Sequence, residues 1–401
     1  MVEEVQNVLD CRNWDDEFPV CIDATLGTAG HTMALLEANP ALQIVAFDRD
    51  SSSQQLARKR LREAGLEARV TIVHCDYRFA DYVIREIGAQ DRQTLLNLDN
   101  QVLEVSIFPG LSAKVLLGEK LRQRLIAGQS WPVRGALLDA GMSLYQVSLA
   151  ERGLSFNQDG PIDMRYNKDQ EISAYELVNQ LPEEELSELF FRYTDERWAR
   201  RIATRIAEHR RSNPIHSTSE LAGIITAAIP APVRRQSRVH PATKSFAALR
   251  MAVNDEYWAL EEGAWALGQA LAIDARLAIL TYSSTEDRTI KRTFRRLADR
   301  MPEVSMPRKS SHAKRRLKHD SLLHALTAVR TSLTTNLATD ILPTDHSTAL
   351  APAVLEEAGW GQHWMMKIIT NKPLVPSDAE ISANPLSRSC KLRVIEKIAL
   401  P

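Results

Sequence analysis

Residues 19–50, PVCIDATLGTAGHTMALLEANPALQIVAFDRD, decide the fold. Val20–Ile22 is a short apolar run closed by Asp23. A turn holding Gly27 and Gly30 follows, and a helical stretch then runs to Asn39–Pro40, where proline disfavours continuation. QIVAFD, residues 43–48, is a second apolar run that again ends on a carboxylate. Short unbroken apolar runs of this kind read as strands covered on both faces.

Outward from that stretch the rhythm continues. A helix is expected from about Ser51 to Ala64, a third strand at 69–75 (RVTIVHC) and a helix over Asp76–Gly88. Strand–helix alternation at this spacing predicts a doubly wound α/β sheet. Residues 89–130 interrupt it with a polar stretch, a strand around Val102–Phe108 and a Lys/Arg-bearing segment from Lys114 to Arg124, and read as an insertion. RGALLD (134–139) resumes the sheet, with Gly141 marking the turn after it. From 171 to 269 apolar residues recur at spacings of three and four, which predicts helices. RLAILTY (276–282) is another strand and 286–300 a basic helix; 301–362 is rich in Pro, Ser, Thr and His; WMMKII (364–369) and KLRVIEK (391–397) are final strands. Strands on both sides of the helical region make it an insert. The expected organisation is 1–150 as the first part of the core, 151–269 as the inserted helical domain, and 270–401 as the second part, divergent at about 288–362.

Composition excludes several classes. A 401-residue chain with 44% hydrophobic and 25% charged residues has the material for a core, which excludes wholesale disorder. Cys11, Cys21, Cys75 and Cys390 are scattered without a CxxC pair, which argues against a disulfide framework or a thiolate zinc site and for a reducing compartment. No HExxH or close histidine pair suggests a metal. No apolar run reaches the ~18 residues that span a bilayer. The first 20 residues carry Asp10, Asp15, Asp16 and Glu17, the wrong charge for a presequence, so the cytoplasm is expected; the mitochondrial matrix fits only a chain that has lost its leader.

Charge is balanced in total, 50 Lys+Arg against 51 Asp+Glu, yet unevenly placed. Residues 288–319 hold 12 basic and 2 acidic residues, leaving 38 and 49 in the rest. Arg234, Arg235, Arg238, Lys244 and Arg250 form a second patch without an acid. Such patches suit a phosphate backbone, although a basic helix can also be merely solvated.

The loop DATLGTAGH (23–31) follows a strand and opens a helix, where amide groups lie free and glycine lets a ligand approach. It is neither GxGxxG nor GxxxxGK[ST], which weakens dinucleotide and nucleoside triphosphate readings. Asp48 suits two adjacent ribose hydroxyls, or else caps the next helix. Asp76 and Tyr77 could grip an adenine ring, and Asp139 ends the fourth strand. Together these strand ends point to one crevice.

At these residues the chain resembles the bacterial ribosomal small-subunit RNA cytosine-N4 methyltransferases, the MraW family, which has mitochondrial relatives. The matching blocks include IDATLGTAGHT (22–32), AFDRD (46–50), LLDAGMSLYQ (137–146), ERGLSFNQDGPIDMR (151–165) and YTDERWARRIA (193–203). HPATKSFAALRMAVNDE (240–256), YSSTEDRTIKR (282–292) and NKPLVPSDAEISANPLSRSCKLRVIEK (371–397) complete them. The resemblance implies a class I S-adenosylmethionine-dependent methyltransferase, Rossmann-like, with an inserted helical substrate-recognition domain. It implies S-adenosyl-L-methionine as cofactor, held by Ala29, Gly30, His31, Asp48, Tyr77, Asp139 and Gln146. Its partner would be small-subunit ribosomal RNA or an assembling small subunit; pairing with itself or with another protein stays open.

The chain departs from the family pattern at defined places. Ala29 stands where Gly is usual, harmless unless that position needs positive φ, and Tyr77 where Phe is usual. Ser143-Leu144-Tyr145-Gln146 replaces Ser-Ser-Pro-Gln, and Tyr282-Ser283-Ser284-Thr285-Glu286-Asp287 replaces Phe-His-Ser-Leu-Glu-Asp. Phe246-Ala247 replaces Phe-Gln, and the usual N-terminal His-x-Pro-Val-Leu segment is not recognisable in residues 1–20.

Methylation of a cytosine amine needs in-line attack on a sulfonium methyl by a poor nucleophile. The protein must supply alignment and hydrogen-bond acceptors around the amine. Asp139 or Ser143 is the candidate acceptor and Tyr145 the candidate stacking ring, though Tyr145 would equally serve as a packing residue. His31 orients the cofactor or caps the turn. His240 shapes an RNA pocket or bonds backbone, and Asp163 with Arg165 lines a wall or forms an internal ion pair. The rival to an enzyme is a ribosome-assembly or RNA-binding factor with weakened or lost catalysis; a small-molecule methyltransferase would leave the basic clusters without a purpose.

Overall fold

The computed structural model of the protein describes residues 1–14, 16–98, 101–108, 111–237, 239–298 and 364–399. Within them one compact unit holds Met1–Ser143, 257–298 and 364–399, and the other holds Leu144–Glu256.

The first unit is built on a nine-stranded sheet. Its strands are β1 (Val20–Asp23), β2 (Gln43–Asp48), β3 (Val70–His74), β4 (Val102–Phe108), β5 (Leu111–Leu116), β6 (Val133–Asp139), β7 (Arg276–Thr281), β8 (Trp364–Ile368) and β9 (Lys391–Ala399). They lie in the order β4-β5-β3-β2-β1-β6-β7-β9-β8. Strands β3, β2, β1, β6 and β7 run parallel, while β9 is antiparallel to β7, and β8 to β9. The chain winds outward from β1 through β2 to β3, then returns to the other side of β1 with β6 and β7. The reversal falls between β1 and β6, the place where doubly wound sheets open a ligand crevice.

Alternation along each strand explains why both faces are covered. Val20 and Ile22 of β1, Val45 and Phe47 of β2, Ala136 and Leu138 of β6, and Leu277 and Ile279 of β7 enter one apolar layer. Cys21, Ile44, Ala46, Leu137, Ala278 and Leu280 enter the layer on the opposite face. Phe47 is wholly buried, and each such side chain contributes about 1.5–3 kcal/mol relative to exposure. The N-terminal helix Val2–Leu9 buries Val5 and Leu9 in the second layer with Leu35 and Leu36 of the helix Gly30–Ala38. Trp14 lies over Gly135 of β6, where a Cβ would stand 2.9 Å from its ring.

The insertion at 89–130 extends the sheet. Strand β5 pairs antiparallel with both β3 and β4, and Val115 and Ala113 face the core while Ser112 and Lys114 are exposed. The Lys/Arg segment therefore divides into β5 and the helix Glu119–Ile126.

The second unit is helical: Ala174–Gln180, Glu183–Thr194, Ala199–Arg210, Thr218–Ala228, Ala231–Gln236 and Thr243–Val253. Ser173 and Glu176 close the first of these helices with reciprocal capping bonds. The buried side of the unit is Leu177, Leu186, Phe190, Ile202, Ile206, Ile225 and Leu249. Asn254 holds the loop before it, donating to the Met164 carbonyl at 2.7 Å and accepting from Tyr166 N at 2.8 Å. The sequence pattern carried the helical region on to residue 269, because the helix Glu256–Ala270 continues the same spacing. Its Leu260, Ala264 and Leu267 instead bury in the core of the sheet, so from Tyr257 it belongs to the first unit.

Candidate functional site

The C-terminal ends of the five parallel strands present Asp23, Asp48, His74 with Asp76 beyond it, Asp139, and Thr281 followed by Tyr282. The loop after β1 is tied to them bond by bond. Thr25 Oγ1 accepts from Asp139 N at 2.8 Å, Leu26 N donates to the Phe47 carbonyl at 2.9 Å, and Gly27 N donates to Asp48 Oδ2 at 2.8 Å. Arg60 Nη1 clamps the Thr28 carbonyl from outside at 2.5 Å. Gly27 has φ +50°, a conformation that suits glycine.

Ala29 has φ +66°, left-handed, and is fully buried at the start of the helix Gly30–Ala38. The position where the family pattern usually carries glycine thus does require positive φ, and alanine occupies it with strain of about 1–2 kcal/mol. Gly30 has an ordinary φ, and a Cβ there would meet nothing within 4 Å. The space beside it stays open for a ligand.

His31 follows on the first turn. Its Nε2 lies 3.5 Å from Asp139 Oδ2, and its buried Nδ1 has no hydrogen-bond partner among the described residues. Burial opposes protonation of the ring, but the Asp139 hydrogen bond and charge, helped by Asp23, outweigh it and raise the pKa. An orphaned buried ring nitrogen beside an open glycine is a ready anchor for a polar ligand group.

Asp48 accepts from Gly27 N and, through Oδ1, from Asp50 N at 2.8 Å. Desolvation by burial prevails over these bonds and lifts its pKa from 3.8 to about 7. It keeps lone pairs for further donors, and capping of the next helix falls to Asp50, which accepts from Ser52 N at 3.0 Å.

Asp76 accepts from Arg78 N and pairs with Arg49 at 3.0 Å; burial raises its pKa, yet the charges of Arg78 and Arg49 prevail and lower it. Tyr77 is half-buried, and its ring lies against Gly263 of the helix Glu256–Ala270 so closely that a Cβ there would overlap the ring. Its polar neighbour Arg78 pairs with Glu262 at 3.5 Å on the same helix.

Asp139 is the hub. Oδ2 faces His31, and Oδ1 accepts from the Tyr282 hydroxyl at 2.8 Å. Burial, then the Asp139 charge, drive the Tyr282 phenol far above its ordinary pKa, so it stays a neutral donor. Tyr282 is itself held: its N–H and that of Ser283 donate to Glu286 Oε2 at 2.8 and 2.9 Å. Asp23, buried beneath the loop, accepts from Thr32 Oγ1 at 2.6 Å, and burial raises its pKa. Asp23 and Tyr282 were not singled out as site residues from sequence. Asp23 carried the same signal as Asp48, an acid closing a strand; Tyr282 carried only a phenol in place of a phenyl ring.

Hydrogen bonds and ion pairs therefore join His31 to Asp139 and the loop of Ala29 and Gly30 to Asp48, while Tyr77 rests on Gly263. Ser143 ends the first unit; Tyr145 and Gln146 lie on the helix Leu144–Ser148 at the start of the second, Tyr145 partly buried and Gln146 buried. In the second unit His240 Nδ1 accepts from Ala242 N at 3.2 Å and its ring sits 4.5 Å from that of Phe156. Arg165 pairs internally with Asp163 at 2.8 Å. Asp287 pairs with Arg393 at 2.7 Å. Among the described residues no group of three or more His, Cys, Asp or Glu could hold a metal, the four cysteines are buried and free, and no helix is long and apolar enough to cross a membrane. Arg238 and the basic residues of the 299–363 stretch lie outside the described residues.

Five parallel central strands whose winding reverses between β1 and β6, a glycine loop after β1 and acids at the ends of β2 and β6 define a class I S-adenosylmethionine-dependent methyltransferase fold. The chain belongs to the MraW methylase family, whose model matches residues 1–336 and 331–398. It is 32% identical over 380 residues to the ribosomal RNA small subunit methyltransferase H of Geobacter sp. (strain M21), covering 94% of this chain and 92% of that one. It is 35% identical over 306 residues to the protein of the same name from Mycolicibacterium paratuberculosis, covering 76% and 69%. A crystal structure of an rRNA methylase from Streptococcus thermophilus aligns over 98% of this chain and 96% of that one with 10% identity and a TM-score of 0.32, too loose to bear on the argument.

Proposed function

We propose that this chain transfers a methyl group from S-adenosylmethionine to the exocyclic N4 of a cytidine in the decoding region of small-subunit ribosomal RNA, free or in an assembling subunit, in the cytoplasm. The observation that carries this reading is the His31–Asp139–Tyr282 cluster at the switch point of the sheet, beside an open glycine loop, in a chain of the MraW methylase family. Relatives named for methylation of small-subunit ribosomal RNA supply the substrate class.

The cofactor, when bound, supplies a sulfonium methyl that is already activated toward attack. The residues fit it. Asp48 accepts from ribose hydroxyls, the Tyr77 ring flanks the adenine, the space at Gly30 admits the ligand close to backbone, and His31 Nδ1 engages a polar group. Gln146 completes the set the family pattern assigns. Asp139 has lone pairs left beyond those used by His31 and Tyr282, and accepts from the cytosine amine, localising the nitrogen lone pair as positive charge develops. Ser143 is a second acceptor, and the Tyr145 ring stacks on a base taken out of its neighbours' stack.

A second reading, an RNA-binding assembly factor without catalysis, is favoured by Tyr145 in place of proline and Ser283 in place of histidine. Calorimetry with S-adenosylmethionine followed by nucleoside mass spectrometry of treated ribosomal RNA separates the two. Saturable binding with new N4-methylcytidine supports the enzyme. Binding of RNA with no saturable cofactor binding supports the factor.

A further inference from the structure

The helix Ser284–Ala298 leaves the C-terminal end of β7 directly after Tyr282, whose hydroxyl bonds Asp139. One side of it, Thr289, Ile290, Thr293, Phe294 and Leu297, is buried. Arg288, Lys291, Arg292 and Arg295 are exposed, and their spacing of i, i+3, i+4 and i+7 places them in a single row.

Nothing in the described residues neutralises that row. None of the four makes a hydrogen bond or ion pair with any described residue. The helix's own acids are spent elsewhere: Glu286 on the amides of Tyr282 and Ser283, Asp287 on Arg393 and Lys391. Arg296, one position off the row, pairs with Glu261. Like charges three and four apart on a helix repel, so the fold itself gains nothing from this arrangement. It is suited to an external anion.

We propose that Arg288, Lys291, Arg292 and Arg295 form a phosphate-tracking row that holds the RNA strand carrying the target nucleotide beside the reaction site. This rests on the RNA-methyltransferase reading above. The row begins about 6 Å of helix rise beyond Ser284 and extends a further ~10 Å, a reach that suits consecutive phosphates of one strand running away from Asp139. A membrane surface is disfavoured, because an interfacial helix needs an outward apolar face and the apolar side here is committed to the core.

The test compares two double neutralisations in the full chain, R288Q/R292Q and K59Q/R85Q. Lys59 and Arg85 are also exposed, on other helices. Binding to a small-subunit ribosomal RNA fragment containing the decoding region is measured across a salt series. Each lost phosphate contact should reduce the slope of log K against log salt by about 0.7–0.9. The row variant is expected to lose about 1.4–1.8 of slope and at least tenfold in affinity at ~0.1 M salt, with S-adenosylmethionine binding unchanged; the control pair should retain the wild-type slope. Equal losses in both pairs, or none in the row variant, overturn the proposal while leaving the functional reading intact. The proposal also falls if the row variant loses binding to phosphatidylserine vesicles and keeps its RNA affinity. Failure of the wild-type chain to bind the RNA overturns both readings.

Discussion

The Tyr282 hydroxyl donates to Asp139 Oδ1 at 2.8 Å, across the β6–β7 pair in which Asp139 lies opposite Leu280. With His31 on the other oxygen, the carboxylate at the end of β6 is fixed in rotation. The phenol is thus a positioning residue for the group assigned to the substrate amine. A hydrogen bond to a charged group contributes about 1.5–3 kcal/mol, so Tyr282→Phe should lower kcat by about tenfold or more. Cofactor affinity should stay within about twofold and the melting temperature within a few degrees. An unchanged kcat would remove Tyr282 from the mechanism.

Ala29 marks a local conflict between residue type and backbone. Replacement by glycine relieves left-handed strain of about 1–2 kcal/mol, but loses a buried methyl at ~0.8 kcal/mol and adds unfolded-state freedom of ~0.4–1 kcal/mol. Ala29→Gly should therefore lie within about 1 kcal/mol of wild type, whereas Ala29→Val, β-branched at positive φ, should destabilise by at least ~2 kcal/mol. Urea denaturation of both variants checks this, and a stable valine variant would show that the loop does not hold φ near +66°.

Gly263 and Tyr77 act as a pair. Gly263→Ala forces the Tyr77 ring aside, at a cost of about 1–3 kcal/mol from overpacking, and should weaken S-adenosylmethionine binding as well as stability. In a double-mutant cycle with Tyr77→Ala the two changes should be strongly non-additive, because the truncated side chain leaves nothing to displace. Additive effects would mean the ring does not rest on that glycine.

These three relationships show where sequence reading stops. Strands β1, β2, β3, β6 and β7 were legible to within a residue or two, because a strand buried on both faces must be apolar at nearly every position. Strand β5 was not: LSAKVL alternates an exposed lysine and serine with buried Ala113 and Val115, and beside Arg122 and Arg124 it reads as a charged segment. The glycine loop and Asp48 were legible as local chemistry. The left-handed backbone of Ala29 was not, since non-glycine residues rarely adopt it. Gly263 against Tyr77, and Tyr282 on Asp139, join residues far apart in the chain that only helix packing and the adjacency of β6 and β7 bring together.

Asp48, as the proposed acceptor for the ribose hydroxyls, should make cofactor binding depend on pH. Its folded-state pKa is raised to about 7 against an unfolded value near ~3.9. The native state therefore holds an extra proton between those values, and this contribution to stability, full below the unfolded pKa, is lost as pH rises through about 7. The ribose hydroxyls require the ionised acceptor, present at roughly one tenth at pH ~6 and nine tenths at pH ~8. Affinity for S-adenosylmethionine should rise by up to about tenfold over that interval. Asp48→Asn should bind weakly with that rise removed, which separates Asp48 from His31, whose pKa the Asp139 carboxylate raises against the opposing effect of burial. A wild-type affinity that is flat from pH ~6 to ~8 would contradict the assignment.

The central claim is tested most directly by incubating the purified chain with small ribosomal subunits from a strain lacking it and isotopically labelled S-adenosylmethionine, then mapping the label by nuclease digestion and mass spectrometry. The account predicts label in N4-methylcytidine at one decoding-region cytidine, strongly reduced with Asp139→Ala. Label in another nucleoside, or cofactor binding without any transfer to ribosomal RNA, would contradict it.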